Sequence, residues 1–405
     1  MAELSSDTIL QRAPSLNVEL GANTIIHVAG QRVYGGANAL NILQAFAHPV
    51  TFSSAIKGLS EKISGAQAWI ELVSSITNLY KAGVLVDETG ATQAVVGTGW
   101  SAPEIHVVML NDRVRTETFV RAIEATVCPG DVVVDIGTGT GVLALAAARA
   151  GARHVYAIEA SAIGRAAEEM FAANGIAERV TLLPGWSSQV ELPERADVLI
   201  AEIIGNDPAE EGVMETFADA RKRFLVSDPR MIPGRVQTFA IPVTIDEKVL
   251  AKHAFTLDAT SNWKDWYGID FDPLLTSPLN KSVVFRVAPS AARDWPQLSS
   301  PVALADLDLS GTKHPLVNES VDLVIETPGM LGGLLVYFEL DVSPGQRIST
   351  SPAVASETCS WAVKVWASGN QIQVQPGDRF KINYKYRVDS AGTKIELIPS
   401  KNEAG

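Results

Sequence analysis

The sequence is poor in cysteine, in positive charge and in long apolar runs. Cys128 and Cys359 are its two cysteines, far apart and outside any CxxC or Cys/His cluster. That excludes a disulfide framework and a structural zinc site built from them. Thirty-three Lys and Arg stand against 46 Asp and Glu, a formal charge of −13 at pH 7. The field of such a chain repels polyanions, which argues against a nonspecific grip on nucleic acid or an anionic membrane and favours a cationic partner. No stretch approaches the ~18 apolar residues of a membrane span. The start, Met1-Ala-Glu-Leu-Ser-Ser-Asp7, has no basic segment leading into an apolar one, so a cytoplasmic location is expected. There is no internal repeat and no low-complexity tract. What is present is ordinary globular composition: 405 residues, 46% hydrophobic and 20% charged. At roughly 100–200 residues per domain this implies two to three domains.

Three patterns follow one another along the chain. Residues 1–90 mix short strands and helices: an antiparallel pair from Asn17–Leu20 and Ile25–Val33, helices near Ala39–Phe46 and Ser53–Lys62, and a better-defined helix carrying Trp69, Leu72, Val73, Ile76 and Tyr80 at helical spacing. Gly83 ends that helix and Val84–Val86 reads as a last strand, which together suggest a small α+β, winged-helix-like domain. Residues 91–104 read as a linker. From residue 105 to 233, apolar strands at Val132–Ile136, His154–Ile158, Val180–Leu183 and Asp197–Ala201 alternate with helices, so an α/β domain with a parallel sheet is expected. Residues 234–405 read as all-β, a barrel or sandwich, except for a helical insert at 244–275 with Trp263, Trp266 and Tyr267.

The strongest local signal is Val134-Asp135-Ile136-Gly137-Thr138-Gly139-Thr140-Gly141 at the end of a strand, with Glu159 closing the next strand 22 positions after Gly137. Glycines at a strand-to-helix turn let the backbone approach a ligand, and helix N–H groups point into that crevice. A carboxylate at the end of the second strand can accept both hydroxyls of a ribose. The spacing departs from GxGxxG, because the third glycine is Gly141 rather than one residue later. Asp135 just before the turn suits a cofactor with a cationic head, which favours S-adenosylmethionine over NAD or FAD; a purely structural turn is the bland alternative.

The second signal is Glu202, at the end of the fourth strand, followed by Gly205, Pro208, Glu210 and Glu211. A loop that doubles back there would bring Glu202 and Glu211 together, and two carboxylates can hold a planar guanidinium by fork-like hydrogen bonds. The alternative is a solvated loop leading into a helix whose first turn is acidic.

His106-Val-Val-Met-Leu-Asn-Asp112-Arg-Val-Arg115, the glycine turn, Ala157-Ile-Glu-Ala-Ser161 and the Glu202/Glu211 pair resemble the protein arginine methyltransferase family, as do Ala220–Leu225, Ile232–Arg235, Trp266-Tyr-Gly268 and Ser349–Pro352. The resemblance covers roughly residues 104–400. It implies a Rossmann-like S-adenosylmethionine domain, then a β-barrel interrupted by a helical dimerisation arm at about 244–275, and a homodimer. It also implies a protein or peptide substrate methylated on a side-chain nitrogen, with S-adenosylhomocysteine as the product. Carried over, Asp135, Gly137 and Gly139 would line the amino-acid part of the cofactor, Glu159 its ribose and Arg115 its carboxylate. His106 would fold over the cofactor, Ser187 would stand near its base, and Glu202 with Glu211 would be the catalytic clamp. Three departures stand out. The family's threonine-histidine-tryptophan loop falls at Cys359-Ser360-Trp361, its tyrosine-rich segment is replaced by Val96-Gly-Thr-Gly-Trp100, and its adenine-contacting acid falls near Ser187-Ser188, beside Trp186. Other acceptors therefore stay open: another peptide nitrogen or a small guanidino or amino metabolite. So does a non-catalytic cofactor-binding regulator.

Residues 1–90 loosely resemble the PqqD-like peptide-binding domains of ribosomal-peptide modification enzymes. That implies capture of a leader peptide at an exposed strand edge. A packing role and DNA binding are the alternatives, the latter disfavoured because residues 38–82 hold only Lys57, Lys62 and Lys81 as basic residues.

Overall fold

The computed structural model describes residues 8–13, 16–20, 24–28, 31–34, 38–60, 72, 75–76, 79–80, 82–87, 102–208, 212–280, 282–311, 318–387 and 392–400. By compactness the chain divides into two units that interleave in sequence. One takes residues 1–107, 137–142 and 157–190, and the other 108–136, 143–156 and 191–405.

The N-terminal part begins with β1 (Ile9–Arg12), β2 (Leu16–Leu20), β3 (Thr24–Val28) and β4 (Gln31–Tyr34), then α1 (Ala39–Ala45), β5 (Val50–Thr51), α2 (Phe52–Ser60) and β6 (Leu85–Asp87). The expected strand Ile25–Val33 is in fact two. Val28 pairs with Gln31, and β2-β3-β4 forms an antiparallel meander. The expected closing strand pairs with a strand that the sequence did not announce, β1, in the order β5-β1-β6. Leu10, Ile26, Val28, Ile42, Phe46, Leu59, Leu72, Ile76 and Leu79 meet in one buried cluster, so this segment has a core of its own. Leu72, Ser75, Ile76, Leu79 and Tyr80 are the described part of the third expected helix; Trp69 and Val73 lie outside the described residues, as does the linker up to residue 101.

Helices α3 (Pro103–Asn111) and α4 (Arg113–Thr126) precede β7 (Val132–Ile136), α5 (Val142–Ala150), β8 (His154–Glu159), α6 (Gly164–Ala173), β9 (Val180–Pro184), β10 (Ala196–Ile200), α7 (Val213–Arg223) and β11 (Leu225–Ile232). The five strands pair in the order β11-β10-β7-β8-β9. β7 is buried at every position, as a parallel strand covered on both faces must be, which is why its sequence reads as an unbroken apolar run. The fifth strand, β11, is an edge strand that tolerates Pro229, which lacks a ladder donor.

The remainder is antiparallel: β12 (Arg235–Val243), β13 (Val283–Val287), β14 (Val302–Asp308), β15 (Asn318–Val324), β16 (Gly329–Ser343), β17 (Gln346–Ser349), β18 (Val363–Val374), β19 (Arg379–Arg387) and β20 (Gly392–Pro399). They form two sheets, β13-β18-β16-β12-β14 with β17 on β16, and β15-β19-β20. The expected helical insert is present as α8 (Glu247–Leu250) and α9 (Leu257–Tyr267). Among the described residues no helix is long and apolar enough to cross a membrane.

Candidate active site

The first cluster is built on the turn after β7. Gly137, Gly139 and Gly141 all have positive φ, at 75°, 55° and 85°. The Gly137 and Thr138 N–H groups both donate to the Ile158 carbonyl, at 2.9 and 3.0 Å, and Gly141 N–H closes the turn on the Thr138 carbonyl. A Cβ on Gly141 would stand 2.5 Å from Phe171, and one on Gly139 would stand 3.1 Å from the His106 ring, so glycine is required for space as well as conformation. His106 itself is buried on α3. The Glu159 carboxylate accepts from Gly139 N–H at 2.9 Å and from Ser161 N–H at 2.7 Å, which aims it at the turn. Gly185 N–H donates to the Glu159 carbonyl at 2.9 Å, tying the loop after β9 to the end of β8. Ser187 begins the short helical turn Ser187–Gln189 in that loop.

The second cluster surrounds Glu202. Arg115 forms a buried ion pair with the Glu202 carboxylate, and its Nη1 donates to the Met109 carbonyl at 3.3 Å. Its guanidinium lies 5.3 Å from the centre of the Trp361 ring. Burial pushes the Arg115 guanidinium down to about 10, which still leaves it charged at neutral pH. Its Nε is buried without a hydrogen-bond partner. Asp135, the next-to-last residue of β7, is buried and in register beside Ile200 of β10. Glu211 lies outside the described residues.

The loop after β10 is held by residues that sequence reasoning did not single out. Trp361 Nε1 donates to the Ile204 carbonyl at 2.8 Å, and Ala362 N–H donates to Asn206 Oδ1 at 2.6 Å. Asp207 is buried and accepts from Lys364 Nζ at 2.9 Å, from Thr393 Oγ1 at 2.5 Å and from Tyr384 at 3.4 Å. Ser360 donates to Asp112 Oδ2 through both N–H (2.8 Å) and Oγ (3.0 Å), while Asp112 Oδ1 caps α4 by accepting from Arg115 N–H at 3.1 Å. Burial pushes the neighbouring Cys359 thiol up to about 11.

Comparison with known proteins agrees with this architecture. The family model for ribosomal protein L11 methyltransferase (PrmA) matches residues 114–272. A probable histone-arginine methyltransferase CARM1 of Oryza sativa subsp. indica is 34% identical over 265 residues, 62% of this chain and 48% of that protein. Protein arginine N-methyltransferase 1 of Schizosaccharomyces pombe is 27% identical over 280 residues, 68% of this chain and 79% of that protein. The chain is a homologue of the protein arginine N-methyltransferases. The homologue spans about half the length of the rice relative. Its fold is shared with the Trypanosoma brucei PRMT1 enzyme-prozyme complex with AdoHcy (TM-score 0.62, 21% identity, 74% of this chain and 99% of that one). It is shared too with Arabidopsis thaliana protein arginine methyltransferase 10 (TM-score 0.58, 23% identity, 74% and 93%).

Proposed function

We propose that this arginine methyltransferase homologue is an S-adenosylmethionine-dependent N-methyltransferase acting on a side-chain nitrogen, a guanidino group first of all, of a peptide or protein. One observation carries the reading: Glu202, on the loop after β10, already holds a guanidinium, that of Arg115, in a buried ion pair. A carboxylate so placed selects a planar cation and fixes the direction of its nitrogens. Glu211, nine residues on, is the second proposed arm of the clamp.

The residues of the first cluster fit the cofactor. The turn at Gly139 packs so closely on the His106 ring that a Cβ would crowd it, Glu159 presents a carboxylate to the Gly139 N–H, and Ser161 Oγ is a buried polar atom without a partner. In this reading Asp135, Gly137 and Gly139 hold the amino-acid portion, Glu159 the ribose, and His106 covers the turn, with Ser187 on the loop near the base. Arg115 Nε, the guanidinium donor left unpaired, is the group for the cofactor carboxylate. The cofactor supplies a methyl group activated by a positively charged sulfur. The chain's own contribution is positional: the carboxylates hold the acceptor nitrogen in line and receive the proton it sheds on alkylation.

Glu202→Gln keeps the size of the side chain and removes its charge. It is expected to retain S-adenosylhomocysteine binding by calorimetry within about threefold while lowering methyl transfer at least about a hundredfold. Near-normal turnover of the acceptor would end the clamp reading. Among the described residues the outer strands β2 and β4 of the N-terminal meander, and β5 and β6 of the neighbouring sheet, are edges suited to strand addition by a substrate peptide, a further part of the proposal. Homodimerisation belongs to it as well.

A further inference from the structure

The loop after β9 carries an aromatic side chain with no part in the chemistry above. Trp186 follows Gly185, whose N–H donates to the Glu159 main-chain carbonyl, so the backbone that carries the indole is tied to the end of β8. His27, on β3 of the N-terminal meander, stands edge-on to that indole, with ring centres 6.0 Å apart and planes at 81°. His27 Nε2 faces Glu19 Oε2 on the neighbouring strand at 3.2 Å. His27 Nδ1 and Trp186 Nε1 are both buried without a hydrogen-bond partner, as is Ser161 Oγ two residues beyond Glu159. An unsatisfied buried polar atom costs about 1–3 kcal/mol, so a native fold that keeps an unpaired His27 Nδ1 and an unpaired Trp186 Nε1 on two rings in contact gains something from them.

The direction of the opening follows from the sheet. A ligand at the carboxyl ends of parallel strands sets its ribose on the acidic residue of the second strand and extends its base towards the next strand. Here the acid is Glu159 and the next strand is β9, with Trp186 two residues beyond its end. The hydrogen-bonding sense is fixed too. Nε2 faces a carboxylate, so in the neutral ring it carries the proton and Nδ1 is left as an acceptor. The Trp186 Nε1–H can only donate. With His27 Nδ1 at the exocyclic position, this acceptor takes the amine of adenine and meets the carbonyl of hypoxanthine unfavourably, while the indole N–H donates to a ring nitrogen.

We propose that His27, supplied by the N-terminal meander, and Trp186 read the adenine of the cofactor, so that the N-terminal segment completes the cofactor site. The inference rests on the cofactor reading given above. The test measures the dissociation constants of S-adenosylhomocysteine and S-inosylhomocysteine for the full-length protein, for His27→Phe and for Trp186→Phe. Both variants keep the aromatic pair, and circular dichroism and thermal melting check that they fold. Each is expected to weaken the adenosyl ligand about five- to tenfold, the value of one hydrogen bond, and His27→Phe to leave the inosyl ligand within about twofold. Equal weakening of both ligands by His27→Phe would reduce His27 to packing and overturn the proposal, as would unchanged affinities. Failure of the unmutated protein to bind S-adenosylhomocysteine would instead overturn the cofactor reading itself, and this proposal with it.

Discussion

Ser360 stands where the sequence resemblance places a histidine, and the structure shows what a hydroxyl does there. It gives Asp112, buried to 2% exposure, two hydrogen bonds, and Asp112 in turn caps the helix that carries Arg115. Ser360→Ala removes one of those donors, leaves the backbone N–H, and is expected to destabilise the protein by about 1–2 kcal/mol in urea unfolding. Because Asp112 orients the first turn of α4, the same variant should also weaken S-adenosylhomocysteine binding through Arg115. A stability loss with no change in affinity would confine Asp112 to a structural role. Residues such as Gly139 and Glu159 were legible because a glycine turn and a carboxylate at a fixed distance follow from local backbone geometry. His27 was not, because its partner is 159 positions away and no local pattern marks it.

At the scale of elements, the loop after β10 is positioned by β18, β19 and β20 through one buried network. Val363, Lys364 and Val365 are all buried, and Lys364 meets Asp207 inside. The parallel strands were legible because burial on both faces writes itself as an apolar run; a charge paired across 157 positions leaves no such trace. Removing one member of a buried pair strands the other. Lys364→Met is therefore expected to cost about 3–5 kcal/mol, and Lys364→Met with Asp207→Asn less than the sum of the two single changes. A double-mutant cycle from urea unfolding measures that coupling. Additive effects would mean that the network does not hold the Glu202 loop.

At the scale of the whole molecule, the −13 charge sets a general preference, but the exposed apolar surface of the insert is more specific. Phe255 and Phe271 pack edge-on against Trp263, at 6.2 and 5.4 Å, and the Asn280 side chain accepts from Phe255 N–H and donates to its carbonyl, so the insert is braced rather than slack. On that braced frame Leu257, Trp266, Tyr267 and Ile269 are each more than half exposed. Large apolar side chains left exposed close together in sequence mark a surface that another chain covers, with aromatic residues as its anchors. In the homodimer proposed above, that chain is a second copy, and burying a side chain of this size contributes about 1.5–3 kcal/mol per copy. Trp266→Glu places a charge on that surface without touching the ring contacts of Trp263. It is expected to shift the protein from dimer to monomer in sedimentation equilibrium, weakening association at least about a hundredfold, while the melting of the monomer stays close to that of the unmutated chain. A Trp266→Glu protein that still sediments as a dimer would show that the insert is not the surface through which copies meet.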